Sequence, residues 1–234
     1  MRFATDKSAF LGGLRDGAPF ILVVVPFALL FGVVARDAGL ALSQVMGFSV
    51  LVIAGAAQYA ALQMMLDDAA IPLVLLAALA VNLRMAMYSA ALVPHLGAAP
   101  LWQRAVIAYA NFDQTYVQSV LTYEQHPEMT VSQKAWYFLG VAALITPIWC
   151  AATAVGALAG TAIPPEYALD FIVPILFLAM VAPMLKSFAH LAAAATSVGV
   201  GLALRGLPSG AGLLIAAGCA MAVGAAVESW RARP

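Results

Sequence analysis

Charged side chains are scarce in this sequence. Only 9% of its 234 residues are charged, while 64% are hydrophobic, and the eleven basic residues balance the eleven acidic ones. Soluble domains carry about 25% charged residues. A chain with no excess of positive charge also lacks the main attraction to nucleic acid, which is neutralisation of the phosphates. We therefore predict a membrane protein that does not bind nucleic acid.

Cysteine and N-terminal signal features are equally sparse. The two cysteines, Cys150 and Cys219, lie in apolar runs, where a thiol usually behaves as a small buried hydrophobe. No disulfide, metal site or cofactor is expected from so few ligands. Residues 1–16 contain no apolar run long enough for a cleavable signal peptide. The first hydrophobic segment is therefore expected to remain as a membrane span.

Long apolar segments fill most of the chain. A helix needs about 20 apolar residues to cross a bilayer, and eight segments approach this length, at 17–36, 43–66, 71–93, 101–123, 135–160, 166–185, 187–205 and 210–229. The sequence thus predicts an all-α, polytopic membrane helical bundle of about eight helices. Residues 17–229 form one transmembrane domain in this scheme, between a cytoplasmic segment at 1–16 and a cytoplasmic tail at 230–234.

The distribution of Lys and Arg predicts the topology. The fourth segment is polar, so its hydropathy does not show whether it crosses the membrane. Basic residues are normally in excess on the cytoplasmic side, and their number on each side distinguishes the two topologies. If it crosses, seven basic residues lie inside and three outside, namely Arg2, Lys7, Arg15, Lys134, Lys186, Arg231 and Arg233 against Arg36, Arg104 and Arg205. If it does not cross, the bias is four against six. Eight spans with both termini in the cytoplasm are therefore predicted.

Two opposite charges lie near the centres of consecutive spans. Arg84 is in the third span and Asp113 in the fourth, and because the two spans are antiparallel, the charges share a depth. A charge in mid-bilayer costs about 2.5 kcal/mol or more and normally has a partner. One interpretation is a structural ion pair. The other is a site for a zwitterion, in which Arg84 takes a carboxylate and Asp113 an ammonium group.

Amide side chains accumulate in the same spans. Gln58, Asn82 and Asn111 are candidates for substrate binding, although single amides in membrane helices also hold helices together. Asn82 and Arg84 are about 200° apart on a helix, and the fourth span is polar on both faces. We therefore expect each of these helices to be either interrupted, near Asn111 in the fourth span, or enclosed by protein.

Prolines inside the spans are candidate helix breaks. Pro26 and Pro147 lie within the first and fifth spans, where proline removes an amide donor and leaves a carbonyl without its helical partner. Free backbone groups at membrane depth are tolerated where they line a cavity. The alternative is that each proline is an ordinary kink in a continuous membrane helix. As candidate sites we predict breaks at both prolines, as in secondary transporters.

Four motifs in order resemble the AzlC family. They are "PFALLFG" in the first span, "AGAAQ" at 54–58, "NLRMAMYSAAL" followed by Pro94, and "NFDQTY" in the fourth span. The resemblance implies the large subunit of a two-component exporter of branched-chain amino acids in the bacterial inner membrane. It also implies a small membrane partner of the AzlD type. Members of the family often carry an acidic pair where this chain has Asp113 followed by Gln114.

These residues would serve three classes of function differently. The first is a secondary transporter working by alternating access, with Gln58, Asn82, Arg84, Asn111 and Asp113 binding the substrate and Asp113 also carrying a proton. The second is an intramembrane enzyme, which is disfavoured because an aspartyl mechanism needs two deep carboxylates and only Asp113 is deep. The third is a passive channel for small polar solutes. We expect a transporter, with no catalytic residue.

Overall fold

Helices form all of the regular structure in the described part of the chain. The computed structural model describes residues 3–160, 185, 187–206 and 211–231. The α-helices are α1 (Asp6–Gly17), α2 (Ile21–Asp37), α3 (Leu42–Leu51), α4 (Gly55–Leu66), α5 (Ile71–Leu96), α6 (Leu101–Tyr109), α7 (Asp113–Gln125), α8 (Val131–Ala159), α9 (Phe188–Ala203) and α10 (Ala211–Arg231). The predicted all-α membrane class is confirmed.

Within the described residues, three helical stretches are long and apolar enough to cross a membrane. They are Asp6–Asp37, Ile71–Leu96 and Val131–Ala159, which contain the first and third predicted spans and all but the last residue of the fifth. The second and fourth predicted spans are each built from two shorter helices. The sixth, at 166–185, lies outside the described residues except for residue 185. The total of eight spans stays a prediction.

The first helical stretch begins earlier than the predicted span. Thr5 caps α1, because its hydroxyl accepts the Ser8 N–H at 3.2 Å while the Thr5 N–H donates to the Ser8 hydroxyl at 2.9 Å. Such a reciprocal cap satisfies two amide groups that the first turn leaves free. A short 3-10 turn at Ala18–Phe20 then joins α1 to α2. Most of the segment at 1–16 is thus helical.

The chain forms two compact units, which divide it at residues 59, 78 and 163. In the unit that holds residues 1–59 and 79–163, α8 packs against both α1 and α2. Glycines allow these backbones to approach closely, since a Cβ on Gly140 would collide with the Phe10 carbonyl and one on Gly156 with the Leu29 carbonyl. Small residues serve this purpose in membrane helix pairs. The α1–α2 stretch and α8 are therefore the closely packed frame of this unit.

The other unit contains the last two described helices. Ser187 caps α9 by accepting the His190 N–H at 3.2 Å. Helices α9 and α10 pack against each other, and Gly224 faces Ala193 across their contact. The predicted seventh and eighth spans are therefore helices, as expected from their apolar runs.

The helix breaks are not at the prolines. Pro26 lies inside α2 and Pro147 inside α8, and both helices continue through them, so the predicted breaks there are wrong. A proline removes one hydrogen bond, but its fixed φ is compatible with the helical conformation. The breaks fall instead at Val52–Ala54, where Ile53 has φ +41°, and at Ala110–Phe112. A β-branched residue at positive φ cannot belong to a right-handed helix.

Candidate functional site

The break between α6 and α7 is closed by a side chain from the following turn. The hydroxyl of Thr115 accepts the Phe112 N–H at 3.1 Å and lies 2.7 Å from the Ala110 carbonyl. Thr115 is completely buried. The polar backbone of the break is thus partly satisfied by one hydroxyl, and Asp113 begins the new helix. The positive end of a helix dipole stabilises a carboxylate at that position.

Asp113 is held by two side chains of α5. The Arg84 guanidinium donates from Nη1 to Oδ2 of Asp113 at 2.8 Å, and the Tyr88 hydroxyl donates to Oδ1 at 2.9 Å. Tyr88 follows Arg84 by one helical turn, so the two point to the same partner. Its ring also stacks on Tyr116 with centroids 4.1 Å apart. The predicted pairing of Arg84 with Asp113 is confirmed, and we call Arg84, Tyr88 and Asp113 the ion-pair cluster.

Asn111 connects the break between α6 and α7 to α5, close to the ion-pair cluster. Its side chain is almost fully buried, and Nδ2 donates to the Ser89 hydroxyl at 3.1 Å and to the Met85 carbonyl at 3.4 Å. Of the two alternatives expected for the fourth span, the structure has the interruption near Asn111, because Asn111 lies between α6 and α7. Asn111 therefore fixes the break to α5 beside the ion-pair cluster.

Several buried polar atoms around this break have no protein partner. Within the described residues, they include Nε of Arg84 and Oδ1 of Asn111. Oδ1 of Asn82 is likewise unpartnered, but it points to another side of α5, about 200° from Arg84. A buried polar group without a hydrogen bond costs about 1–3 kcal/mol, and more when it is charged. Such groups in a native fold call for an explanation, such as a ligand or an ordered water. The elements around the break therefore offer one donor, on Arg84, and one acceptor, on Asn111, to a bound molecule.

The third span was expected to be either interrupted or enclosed by protein. Helix α5 is continuous over 26 residues, so the first of these alternatives does not hold. Arg84 reaches its partner, Asp113 of α7, from this regular helix. A bend in α5 is not needed to bring the charge to the site.

Gln58 lies in a different polar cluster. It is fully buried, its Nε2 donates to the Ser49 hydroxyl at 3.3 Å, and Ser49 donates to the Thr153 hydroxyl at 3.1 Å. This chain of hydrogen bonds joins α4, α3 and α8 next to the first break. The structure thus brings Arg84, Asn111 and Asp113 together on α5 and the second break, while Gln58 is bonded at the first.

A hydrogen bond connects the two breaks. The Tyr109 hydroxyl donates to the Val50 carbonyl. Tyr109 is the last residue of α6 and Val50 is in the last turn of α3, so each lies directly before a break. The two interruptions are therefore neighbours in space.

Three residues of these clusters were not singled out from the sequence. Tyr88 carried a signal, since it is four residues after Arg84 and thus on the same helical face. Ser49 and Thr153 are 104 residues apart, and nothing in their local sequence indicates that they meet. Among the described residues, no three His, Cys, Asp or Glu side chains lie together where they could hold a metal ion.

Residues 19–163 match the sequence model of the family described as AzlC protein. The chain belongs to the AzlC family. The matched region contains the ion-pair cluster and both breaks, so the site lies in the part of the chain that defines the family.

Two relatives are similar to this AzlC-family protein over most of its length. An uncharacterized membrane protein of Archaeoglobus fulgidus is 29% identical over 213 residues, which cover 88% of this chain and 89% of the relative. The inner membrane protein YgaZ of Escherichia coli K12 is 23% identical over 236 residues, covering 94% and 92%. No solved structure matches the chain. With its apolar helices, this AzlC-family chain is a membrane protein, and its architecture is consistent with a transporter.

Proposed function

We propose that this AzlC-family protein is a secondary transporter that exports branched-chain amino acids by alternating access. The proposal includes no chemical conversion of the substrate. The observation that carries it is the ion-pair cluster at an interrupted helix, with Nε of Arg84 and Oδ1 of Asn111 buried and unpartnered among the described residues. Interrupted helices whose free ends meet the substrate are a recurring design of secondary transporters.

The charges of the site match those of an amino acid. Arg84 uses Nη1 for Asp113, which leaves its Nε edge for a substrate carboxylate, and guanidinium binds carboxylates well through two parallel hydrogen bonds. The ammonium group would be accepted by Oδ1 of Asn111 and by Asp113. The substrate would thus replace the contact between Arg84 and Asp113 with contacts to itself, so that no charge is left without a partner.

Asp113 is also the proposed proton carrier. An unpaired charge at membrane depth raises the free energy of the protein. A carboxylate that exchanges its partner during transport would therefore be stabilised by taking up a proton whenever no cation faces it. Asn82 and Gln58 are proposed as further acceptors for the substrate, because each has a buried side-chain oxygen without a partner in the described part of the chain. Gln58 would act at the first break.

We further propose a small AzlD-type membrane subunit as partner and the bacterial inner membrane as location. The name of the Escherichia coli relative, inner membrane protein YgaZ, supports the location. A partner would cover apolar side chains that α5 leaves exposed, such as Leu79 and Met87, at 66% and 72% exposure. Lipid would cover the rest of that helix.

Counterflow of labelled valine in proteoliposomes tests the proposal. Vesicles that hold the purified chain, with and without the small subunit, are loaded with unlabelled valine, and uptake of label is followed. We expect transient accumulation that is lost in Asp113→Asn and kept in Glu124→Gln, which removes an exposed carboxylate from the same helix. No counterflow in either preparation contradicts transport of valine. Normal efflux with unchanged pH dependence in Asp113→Asn contradicts the proton role.

A further inference from the structure

A cavity opens beside the ion-pair cluster, between the C-terminal half of α5 and α6. Its volume is about 270 Å³, and its lining includes Leu92, Leu96, Ile107, Ala108, Ser89 and Asn111. Pockets that hold drug-sized ligands measure about 300–1,000 Å³. The cavity is therefore of a size suited to a small molecule.

The inner wall is aliphatic and the end at the helix break is polar. Leu92, Leu96 and Ile107 are each at most 5% exposed, so the wall is formed by the protein itself. At the polar end lies Asn111, which is 1% exposed and whose Oδ1 has no partner among the described residues. An orphaned, buried acceptor at one end of an apolar cavity indicates a ligand with a donor group and an apolar body.

The cavity has a second polar end, at Arg104, which cannot bind the same charged head group of a substrate as Asn111. Arg104 also lines it, but it precedes Asn111 by seven residues, which corresponds to about 10 Å along a helix. The ammonium and carboxylate groups of an α-amino acid are attached to one carbon and cannot reach both ends. The head belongs at the break, where Asn111 precedes Asp113 by two residues, and the side chain then extends along the aliphatic wall.

We infer that this cavity receives the apolar side chain of the transported amino acid, and that Ile107 and Leu92 set the size it accepts. The inference rests on the proposed transport function and adds the position and size limit of the substrate. Aliphatic walls suit branched aliphatic side chains. None of the described residues that line the cavity is aromatic, so nothing there stacks on an aromatic ring.

Competition in the counterflow assay tests the size limit. Unlabelled alanine, valine, leucine and phenylalanine compete with labelled valine in wild type, Ile107→Ala and Val106→Ala. A missing group in an apolar pocket costs roughly 10-fold or more in selectivity, so Ile107→Ala should weaken leucine about tenfold, alanine little, and improve phenylalanine. Val106 precedes Ile107 on α6 but does not line the cavity, so Val106→Ala should leave the order unchanged. An unchanged order in Ile107→Ala overturns the inference.

A binding assay keeps the inference testable without transport. Ala108→Cys is made in a chain with Cys150 and Cys219 replaced by alanine, and its reaction with a maleimide is timed with and without leucine. Leucine should slow labelling several-fold at position 108 and not at Val106→Cys. Protection without counterflow contradicts the proposed transport and supports the cavity. Labelling that leucine does not affect, but that lipid blocks relative to detergent, assigns the cavity to an acyl chain and overturns the inference.

Discussion

Removing the ion pair between Arg84 and Asp113 separates its structural role from its role in transport. At 2.8 Å, two unit charges attract by about 6 kcal/mol at an effective dielectric constant of about 20, and by about 1.5 kcal/mol in water. Desolvation offsets most of this attraction. Because the two side chains remain 26% and 34% exposed, we discount further and expect a coupling free energy of about 1–3 kcal/mol.

A double-mutant cycle measures that coupling. Asp113→Asn leaves the guanidinium of Arg84 without a counter-ion, so it should destabilise the fold by about 2 kcal/mol, and Arg84→Met should act similarly. Because the double variant buries no charge, it should lose only about 1 kcal/mol, which is about 3 kcal/mol less than the sum of the two single losses and agrees with the upper end of the expected coupling. For a chain of this size, 2 kcal/mol corresponds to about 4–8 °C in melting temperature. Tryptophan fluorescence during heating in detergent measures it, and valine counterflow is recorded on the same preparations.

The two measurements should diverge in the double variant. We expect near-normal stability without counterflow, because both charges have been removed from the substrate's path. A double variant that is stable and also transports at the wild-type rate would show that the pair only holds helices together. A coupling close to zero would instead show that Arg84 and Asp113 do not stabilise each other, which would contradict the ion pair as the centre of the site.

The remaining predictions concern the helix breaks and the packing frame. Thr115→Val should lower the free energy of unfolding by about 1–3 kcal/mol because the Phe112 N–H loses its acceptor, while Thr115→Ser keeps the hydrogen bond. Thermal unfolding of the two variants measures the difference. Gly156→Ala should cost about 1–3 kcal/mol from the collision with Leu29. By the same assay Gly47→Ala, where nothing lies within 4 Å, should stabilise by up to about 1 kcal/mol. Tyr109→Phe should slow counterflow while lowering stability by only about 1 kcal/mol; unchanged counterflow would contradict coupling between the breaks.

Polarity patterns reduced the fourth span to two alternatives. A helix with polar residues on both faces must be enclosed or interrupted, and the structure has the interruption, at Ala110–Phe112. The pairing of Arg84 with Asp113 was predictable as one of two interpretations, because a charge in lipid needs a partner and these two lie at matching positions of consecutive spans.

The first break could not be predicted in this way. It depends on Ile53 at φ +41°, and no glycine, asparagine or proline marks that position. The prolines led to a wrong prediction of helix breaks. Proline can be accommodated within a helix that continues on both sides, as Pro26 is in α2 and Pro147 in α8. The hydrogen bonds of Gln58 were also hidden, since Ser49 and Thr153 come together only through tertiary packing.

The contact between the two breaks bears on how a transporter of this design would move. Broken helices are the segments of a membrane protein whose short halves can tilt separately, because their backbone is already free of the continuous ladder of hydrogen bonds. Tyr109 ties the end of α6 to the end of α3, so a tilt of one half-helix must either carry the other or break that bond. Asp113 starts the helix on the far side of the second break. Under the proposed function, a substrate that separates Asp113 from Arg84 would act where α6 and α7 are joined, and the hydrogen bond of Tyr109 would link a movement there to the first break.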